Sequence, residues 1–559
     1  MILKSHEKNG CIVFAVAVLV LLVTLILYAG VLSADFVMWD DDRDILGNIN
    51  ITSDDIWSVF SDVDSLQRFI PLTLLAWSLI WHFAGFDPFW FHFGNWMLNG
   101  MSTLLLYFVL RNMITICKEK ISCFRDIRPL MLELAAASGA LLWGIHPLRV
   151  ESVAWASCWG HSQAMFFLIA SLFFYLKAQE SPHCQRYWIY IVLSIFAYIF
   201  SLLSYPLGIT FFPVFILIDI FLLRRFEFSC SGMRWQIIRP ILVEKFFFAA
   251  PAFFFGIFTV IIFFRQSLKW SSPVSLSQFG LVERLMQAIY VYSYYLWKPF
   301  FPDGLAPVYT SLFIIEPFSK RFIFLVLLIS GISILCLVII KRRPFILGLW
   351  LAYLAMMLPF IGIFSHPHFT ADRYSLLSSL CFSVLTSFLI ARISGSFRPW
   401  TITIVVFIVL SLLAWQTEKQ VKVWKNSETL FTHIIRVLEN DPYRVQIMGR
   451  LAKYYNQSGQ TEKSIATFME LLSIKPTSLR AHSQLAEIYH ASGRYAEEIP
   501  HLRTMLEQQP NNPEFHYRFG VVLEKAGKHN DADLHFRLAE SLKANSVPEG
   551  NPGENNEGI

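Results

Sequence analysis

The sequence predicts an all-α protein, a polytopic helical membrane domain of about 11 spans followed by an α-solenoid. Three observations carry that expectation. Of 559 residues, 55% are hydrophobic and only 16% charged, and mean hydropathy is +0.49, which a soluble domain does not show. Apolar runs of spanning length recur through most of the chain. A 34-residue period of glycine and proline then marks a soluble end: Gly459, Gly493 and Gly527, with Pro476 and Pro510.

Taken in order, Lys4 and Lys8 precede an apolar run from Cys11 to Ser33. That run is long enough to span and further spans follow, so it reads as a first transmembrane helix rather than a signal peptide. Spans are expected near 11–33, 89–110, 130–145, 162–176, 187–203, 206–223, 246–264, 322–340, 345–364, 374–392 and 400–415. Two further stretches are ambiguous: 70–84 is short, and 283–300 carries Glu283, Arg284, Lys298 and several tyrosines. Placing both along the membrane surface, with the N-terminus inside, gathers the strong basic clusters on one face. Those clusters are Arg111 to Arg128, Lys177 and Arg186, Arg224 to Lys245, Lys341 to Arg343, and Arg392 with Arg398. An odd number of spans then puts the loop 34–88 and everything after Trp415 outside the cytoplasm. The expected location is a multi-pass membrane protein, in the inner (plasma) membrane if bacterial, with the repeats on the non-cytoplasmic side.

Net charge is only +5, and basic residues concentrated between apolar runs set topology, so nucleic acid is excluded as a partner. The eight cysteines contain no CxxC pair, which predicts neither a disulfide framework nor a zinc site. Expected domains are a membrane domain over 1–415, a connecting segment over 416–440, repeats over 441–545 and a disordered tail over 546–559. Within each repeat Ala452, Ala486 and Gly520 take the close-packing position of a first helix. Tyr455 and Tyr489 follow three residues on, and Phe468, Leu502 and Phe536 fall on the second helix. The pattern resembles three tetratricopeptide repeats, which stack helix pairs around a groove that holds a partner segment.

The first loop opens with acids at Asp35, Asp40, Asp41, Asp42 and Asp44. From the residues alone this is either a solvated helix exit or a site of perturbed carboxylates, since adjacent acids can split their pKa values into a base and an orienting group. A resemblance bears on the choice. The run Trp39-Asp40-Asp41-x-x-x-Ile45-x-x-Asn48-x-x-Ile51 resembles the first-loop signature of transmembrane-and-tetratricopeptide protein O-mannosyltransferases, and of bacterial relatives in the GT-C glycosyltransferase superfamily. Further matches follow in order: Arg68-Phe-Ile-Pro71-Leu-Thr73, Phe91-His92-x-x-Asn95, and His146-Pro147-Leu-Arg149-Val-Glu151-Ser-Val-Ala-Trp155. Then come Tyr294-Tyr-Leu-x-Lys298-x-x-x-Pro302, Ala371-Asp372-Arg373-Tyr374 and Trp424-x-x-Ser427-x-x-Leu430-Phe431.

The resemblance implies Asp40 and Asp41 as catalytic residues of an inverting transfer of mannose or another hexose. The donor would be a polyprenyl-phosphate sugar, and the acceptor a protein or other hydroxyl compound held by the repeats. A departing lipid phosphate needs fixed positive charge, for which Arg149, Lys298 and Arg373 are candidates. Arg373 leads, on the expectation that Asp372 holds it in place; a structural interface pair is the plain alternative. Glu151 could orient a sugar hydroxyl and His146 sits beside it, though a helix-stopping role for His-Pro is as well supported. His161, His366 and His368 have no ligand spacing, so no metal site is expected, and no cofactor is named beyond the lipid-linked sugar. After Trp155 many relatives carry a basic residue and then an acid, where this chain reads Cys158-Trp159-Gly160-His161, which leaves the donor sugar open. Asn50 and Asn456 fit the N-glycosylation pattern. Two other classes stand beside the enzyme: a membrane-anchored repeat scaffold, and a lipid-linked sugar transporter. The latter should show charges near span centres and paired broken helices, whereas the spans hold mainly Glu133 and Asp219.

Overall fold

The computed structural model describes residues 2–63, 66, 68–120, 124–180, 185–226, 235–270, 277–312, 316, 318–362 and 370–546. Among them the chain is all helix, and a lone bridge between Tyr309 and Thr370 is the only strand-like pairing. It divides into two compact units, Met1–Leu430 and Phe431–Ile559.

All eleven predicted apolar segments fold as helix, at three lengths. Among the described residues eight helices are long and apolar enough to cross a membrane: Gly10–Ser33, Pro88–Lys120, Ala156–Ala178, Gln185–Ser204, Arg239–Arg265, Lys320–Val338, Asp372–Ile393 and Pro399–Val423. A ninth is a pair, Pro129–Gly144 and Pro147–Ala154, bent by 51°. The segments expected as spans at 206–223 and 345–364 are the shorter helices Pro206–Leu222 and Pro344–Phe360. At a rise of about 1.5 Å per residue these reach only about 25 Å, which needs a thinned bilayer or a buried setting. The stretch 70–84 is the helix Pro71–Ala84, shorter still, and 283–300 contains the amphipathic helix Leu281–Trp297.

The bend has a local cause. Pro147 disfavours helical backbone at the residue before it, and His146 is accordingly extended (φ −69°, ψ 140°). Two short turns, Pro147–Arg149 and Val150–Ala154, lead to an extended Trp155 and a further turn at Ala156–Cys158 before the helix from Trp159. This broken stretch turns its polar residues inward at one end of the bundle. Helix Pro88–Lys120 packs against it closely enough that a Cβ on Gly94 would lie 1.8 Å from the Trp159 ring, so only glycine fits there.

The first loop is folded rather than a solvated exit. Ile45, Ile51, Val59, Leu66, Ile70, Leu74 and Trp77 form a small core with Phe91, Ala156 and Trp159. Its backbone is also tied down, with Asp35 N–H donating to the Lys425 carbonyl (2.9 Å) and Met38 N–H to Ser427 Oγ (2.9 Å).

Beyond the far end of Pro206–Leu222, two of the basic residues predicted to mark the cytoplasmic face, Arg225 and Lys245, are paired. Asp219 and Glu244 share Arg225 and Lys245, and the Tyr175 and Tyr187 hydroxyls donate to Asp219 and Glu244. Glu133 pairs with Arg111 at 2.9 Å and accepts from Tyr107. Glu133 and Asp219, the acids the sequence places within spans, are thus both ion-paired in this fold.

The second unit consists of three helix pairs, Arg444–Gln457 with Thr461–Ile474, Leu479–Ala491 with Tyr495–Gln508, and Pro513–Lys525 with His529–Ser546. Gly459, Gly493 and Gly527 close the inter-helix turns at φ +75°, +68° and +77°, the left-handed region that explains the glycine period.

Candidate active site

Asp41 and Asp40 have opposite surroundings. Asp41 is fully buried, and its Oδ1 accepts from Ser157 N–H (2.9 Å) and Ser157 Oγ–H (2.5 Å) while Oδ2 accepts from Val37 N–H (2.9 Å). Burial outweighs these three donors and pushes its carboxyl up to about 7. The Asp40 side chain is 30% exposed, with Arg43 at 3.6 Å. Asp44, also buried, pairs with Arg43 at 2.7 Å, whereas Asp42 is exposed. The turn that follows Asp41 and carries Asp42 and Asp44, Asp42–Leu46, is a π-helix, an irregularity frequent at functional sites.

Arg373 lies over Trp155, two residues from the Ser157 that binds Asp41, but it is not held in the way its sequence neighbour suggested. Its guanidinium and backbone N–H both bond Glu151, the latter at 2.8 Å, and it lies over the rings of Trp155 (5.2 Å) and Tyr374 (4.8 Å). Asp372 instead accepts from the Tyr309 hydroxyl at 2.7 Å. The expectation that Asp372 holds Arg373 is corrected on this point, because consecutive residues on a helical turn do not face each other. Glu151, with both oxygens committed to Arg373, positions that arginine rather than standing open to a sugar hydroxyl.

The remaining predicted residues form a second, buried group. Arg149 is fully buried, donates to Ser375 Oγ and lies 5.5 Å from the Trp143 ring. Lys298 donates to the Asp303 carbonyl (2.7 Å) inside a cage of Tyr294, Trp297 and Tyr309. His146 accepts from Leu148 N–H (3.2 Å) and its Nε2 faces the Pro299 carbonyl (2.9 Å), the capping role weighed for it. His146 ties its turn to Pro299, Arg149 ties the same turn to Ser375 and Lys298 holds the loop that follows it through Asp303, and neither cation is open to solvent.

The sequence motifs, scattered over nearly 400 positions, converge here. Asn95 donates to the Trp155 carbonyl (3.1 Å), Thr73 to the Ser204 carbonyl (2.7 Å) and Tyr295 to the Ala371 carbonyl (2.7 Å), and Trp424 stacks on Trp155 (6.1 Å).

Sequence reasoning missed Ser157, for which no local signal exists. It quoted Arg68 only as part of a motif and singled out neither Tyr205 nor the placement of His161, whose ring lies 3.8 Å from that of Tyr205. Among the described residues no three His, Cys, Asp or Glu side chains converge as metal ligands, and His366 and His368 lie outside those residues. Asn50 donates to Asp62 at 2.8 Å, and Asn456 is exposed.

Fold and site together define a multi-pass membrane protein with a buried carboxylate and guanidinium cluster and a tetratricopeptide solenoid. The tetratricopeptide repeat family matches residues 445–478, the first helix pair and the approach to the second. The chain is similar to protein O-mannosyl-transferase tmtc2 of Xenopus laevis, 25% identical over 50% of this chain and 34% of that protein. It is also similar to the human protein O-mannosyl-transferases TMTC4 (26% identical; 37% of this chain, 29% of that one) and TMTC1 (22%; 76% and 50%). The matched stretches thus span half or less of each relative. They bear out the resemblance to transmembrane-and-tetratricopeptide O-mannosyltransferases first read from the motifs.

Proposed function

We propose that the protein is a membrane glycosyltransferase that moves a hexose from a polyprenyl-phosphate carrier to a hydroxyl of a protein acceptor on the non-cytoplasmic face, with inversion. The observation that carries the reading is the pair of unlike acids, Asp41 buried and Asp40 partly exposed, with Asp41 bound by Ser157, two residues from the Trp155 ring that lies under Arg373. The relatives are protein O-mannosyl-transferases, which agrees with it.

Asp40 is the base, because its carboxylate is the one an acceptor can reach. As the acceptor oxygen bonds the anomeric carbon, the bond from that carbon to the phosphate oxygen breaks, and Asp40 takes the hydroxyl proton. The leaving phosphate gains a second negative charge, which the arginine side of the site stabilises. Asp41 is a positioning residue that fixes the 37–41 turn against the Ala156–Cys158 turn. The solenoid offers the acceptor a groove.

The test is release of lipid phosphate by purified protein in nanodiscs, given a panel of polyprenyl-phosphate hexoses and Ser/Thr peptides. Asp40→Asn should lower kcat by about 10²- to 10⁴-fold while donor affinity stays. Full turnover in both Asp40→Asn and Asp41→Asn would sink the assignment. In the scaffold reading the double variant would lose nothing measurable in partner binding, and wild type would consume no donor.

A further inference from the structure

The arginine singled out by sequence is not the one whose charge is available. Arg373 is committed to Glu151 through its guanidinium and its backbone. Arg68, at the start of the Arg68-Phe-Ile-Pro71 motif, is different. Its Nε donates to the Leu66 carbonyl (3.1 Å) and its Nη1 to the Tyr205 hydroxyl (3.4 Å), with the guanidinium 5.7 Å from the Tyr205 ring centre. Both partners are neutral, and among the described residues no carboxylate lies within ion-pair distance of it. Asp44, the acid whose charge reaches it, is already paired with Arg43.

The other polar group at the Tyr205 ring is His161. His161 is 3% exposed and lies against Tyr205, and the charges of Arg68 and Arg373 both act on it and on each other. Its Nδ1 is 3.5 Å from the Cys158 Sγ, whereas its Nε2 is buried without a hydrogen-bond partner. With the thiol donating to Nδ1, the neutral ring carries its proton on Nε2 and presents an unused donor. Arg68 and His161 thus meet at the Tyr205 ring, while Arg373 is paired with Glu151. A buried donor without a partner costs about 1–3 kcal/mol, and Arg68 has only neutral partners, so an anion seated at the Tyr205 ring would satisfy both groups.

We propose that Arg68, Arg373 and His161 form a phosphate-ester subsite in which Arg68 is the principal charge partner. The inference rests on the transfer reading above and deepens it: Arg68 contacts the carrier phosphate, Arg373 is held by Glu151 as the second wall, and His161 Nε2 supplies a neutral donor. A forked guanidinium suits a phosphate monoester or diester, which accepts two parallel hydrogen bonds.

The experiment measures binding rather than turnover. Full-length protein in nanodiscs is titrated with a polyprenyl monophosphate, with the matching polyprenyl alcohol and with inorganic phosphate, and tryptophan fluorescence is followed. Arg68→Gln should weaken the polyprenyl monophosphate by about 10- to 100-fold, the loss of a charged hydrogen-bonding pair, and leave the alcohol unchanged. Arg68→Lys, which keeps the charge but not the fork, should fall between. His161→Phe, which keeps the ring against Tyr205, should cost about 3- to 10-fold. Unchanged monophosphate affinity in Arg68→Gln overturns the proposal, as does wild-type protein that binds no monophosphate. A matching loss for the alcohol would show a folding defect in that variant, and the lysine variant then decides. Inorganic phosphate binding as tightly as the lipid would assign the subsite to a soluble phosphate and overturn the lipid source. Because no transfer is measured, Arg68-dependent binding without turnover would refute the transferase reading and leave the subsite standing.

Discussion

Replacing Ser157 by alanine isolates the electrostatics of the site. The Ser157 hydroxyl is the shortest of three donors to Asp41, at 2.5 Å, and a hydrogen bond to an ionised group contributes about 1.5–3 kcal/mol. At 1.36 kcal/mol per pKa unit, its removal raises the Asp41 carboxyl by about 1–2 units, from about 7 to about 8–9. The sign follows from the form each term favours: burial favours the neutral acid and the donors favour the carboxylate, so losing a donor moves the group further up. If the turn at 37–41 is locked by the ionised form, the acid limb of kcat/KM lies near pH 7 in wild type. The same limb lies about 1–2 units higher in Ser157→Ala. At pH 7.5 the variant should lose about 3- to 25-fold in rate and recover it above about pH 9. The assay is lipid-phosphate release across a pH series with saturating acceptor. A limb that stays in place or moves down refutes the reasoning. An equal loss at every pH would mean that Ser157 acts through packing and not through the charge of Asp41.

Glu151→Gln leaves the Arg373 guanidinium without its carboxylate in a buried setting, which typically costs about 3–5 kcal/mol, so the melting temperature in detergent should drop by several degrees; an unchanged value would show that the pair is dispensable. Asp41→Asn should flatten the dependence of stability on pH. With its carboxyl raised by burial, Asp41 stabilises the fold most below the unfolded carboxylate value near 4 and loses that contribution as pH rises towards about 7. A wild-type stability that rises over this interval because of Asp41 would contradict the assignment. Gly527→Ala places a side chain at φ +77° and should destabilise the protein by about 1 kcal/mol, read by chemical denaturation of the full chain. For topology, a reporter fused after Ser546 should read non-cytoplasmic and one at Lys118 cytoplasmic; the reverse at the C-terminus would require an even number of crossings.

The all-α class, the apolar helices and the 34-residue solenoid were legible because each rests on local information. Hydropathy over about 20 residues decides whether a segment can be a spanning helix, and a left-handed turn selects glycine wherever it recurs, at Gly459, Gly493 and Gly527. The family motifs likewise named Asp40, Asp41, Glu151 and Arg373 without their partners. Partnership was decided only by tertiary structure. Ser157 reaches Asp41 across 116 residues and Arg373 reaches Glu151 across 222, while Asp372, adjacent to Arg373 in the chain, turns to Tyr309. Sequence adjacency misled there because neighbours on a helical turn point about 100° apart. The same physics separated the acids: Asp40 and Asp41 are neighbours in sequence, yet the fold buries one under three donors and leaves the other open, so their chemistry is set by packing and not by residue type.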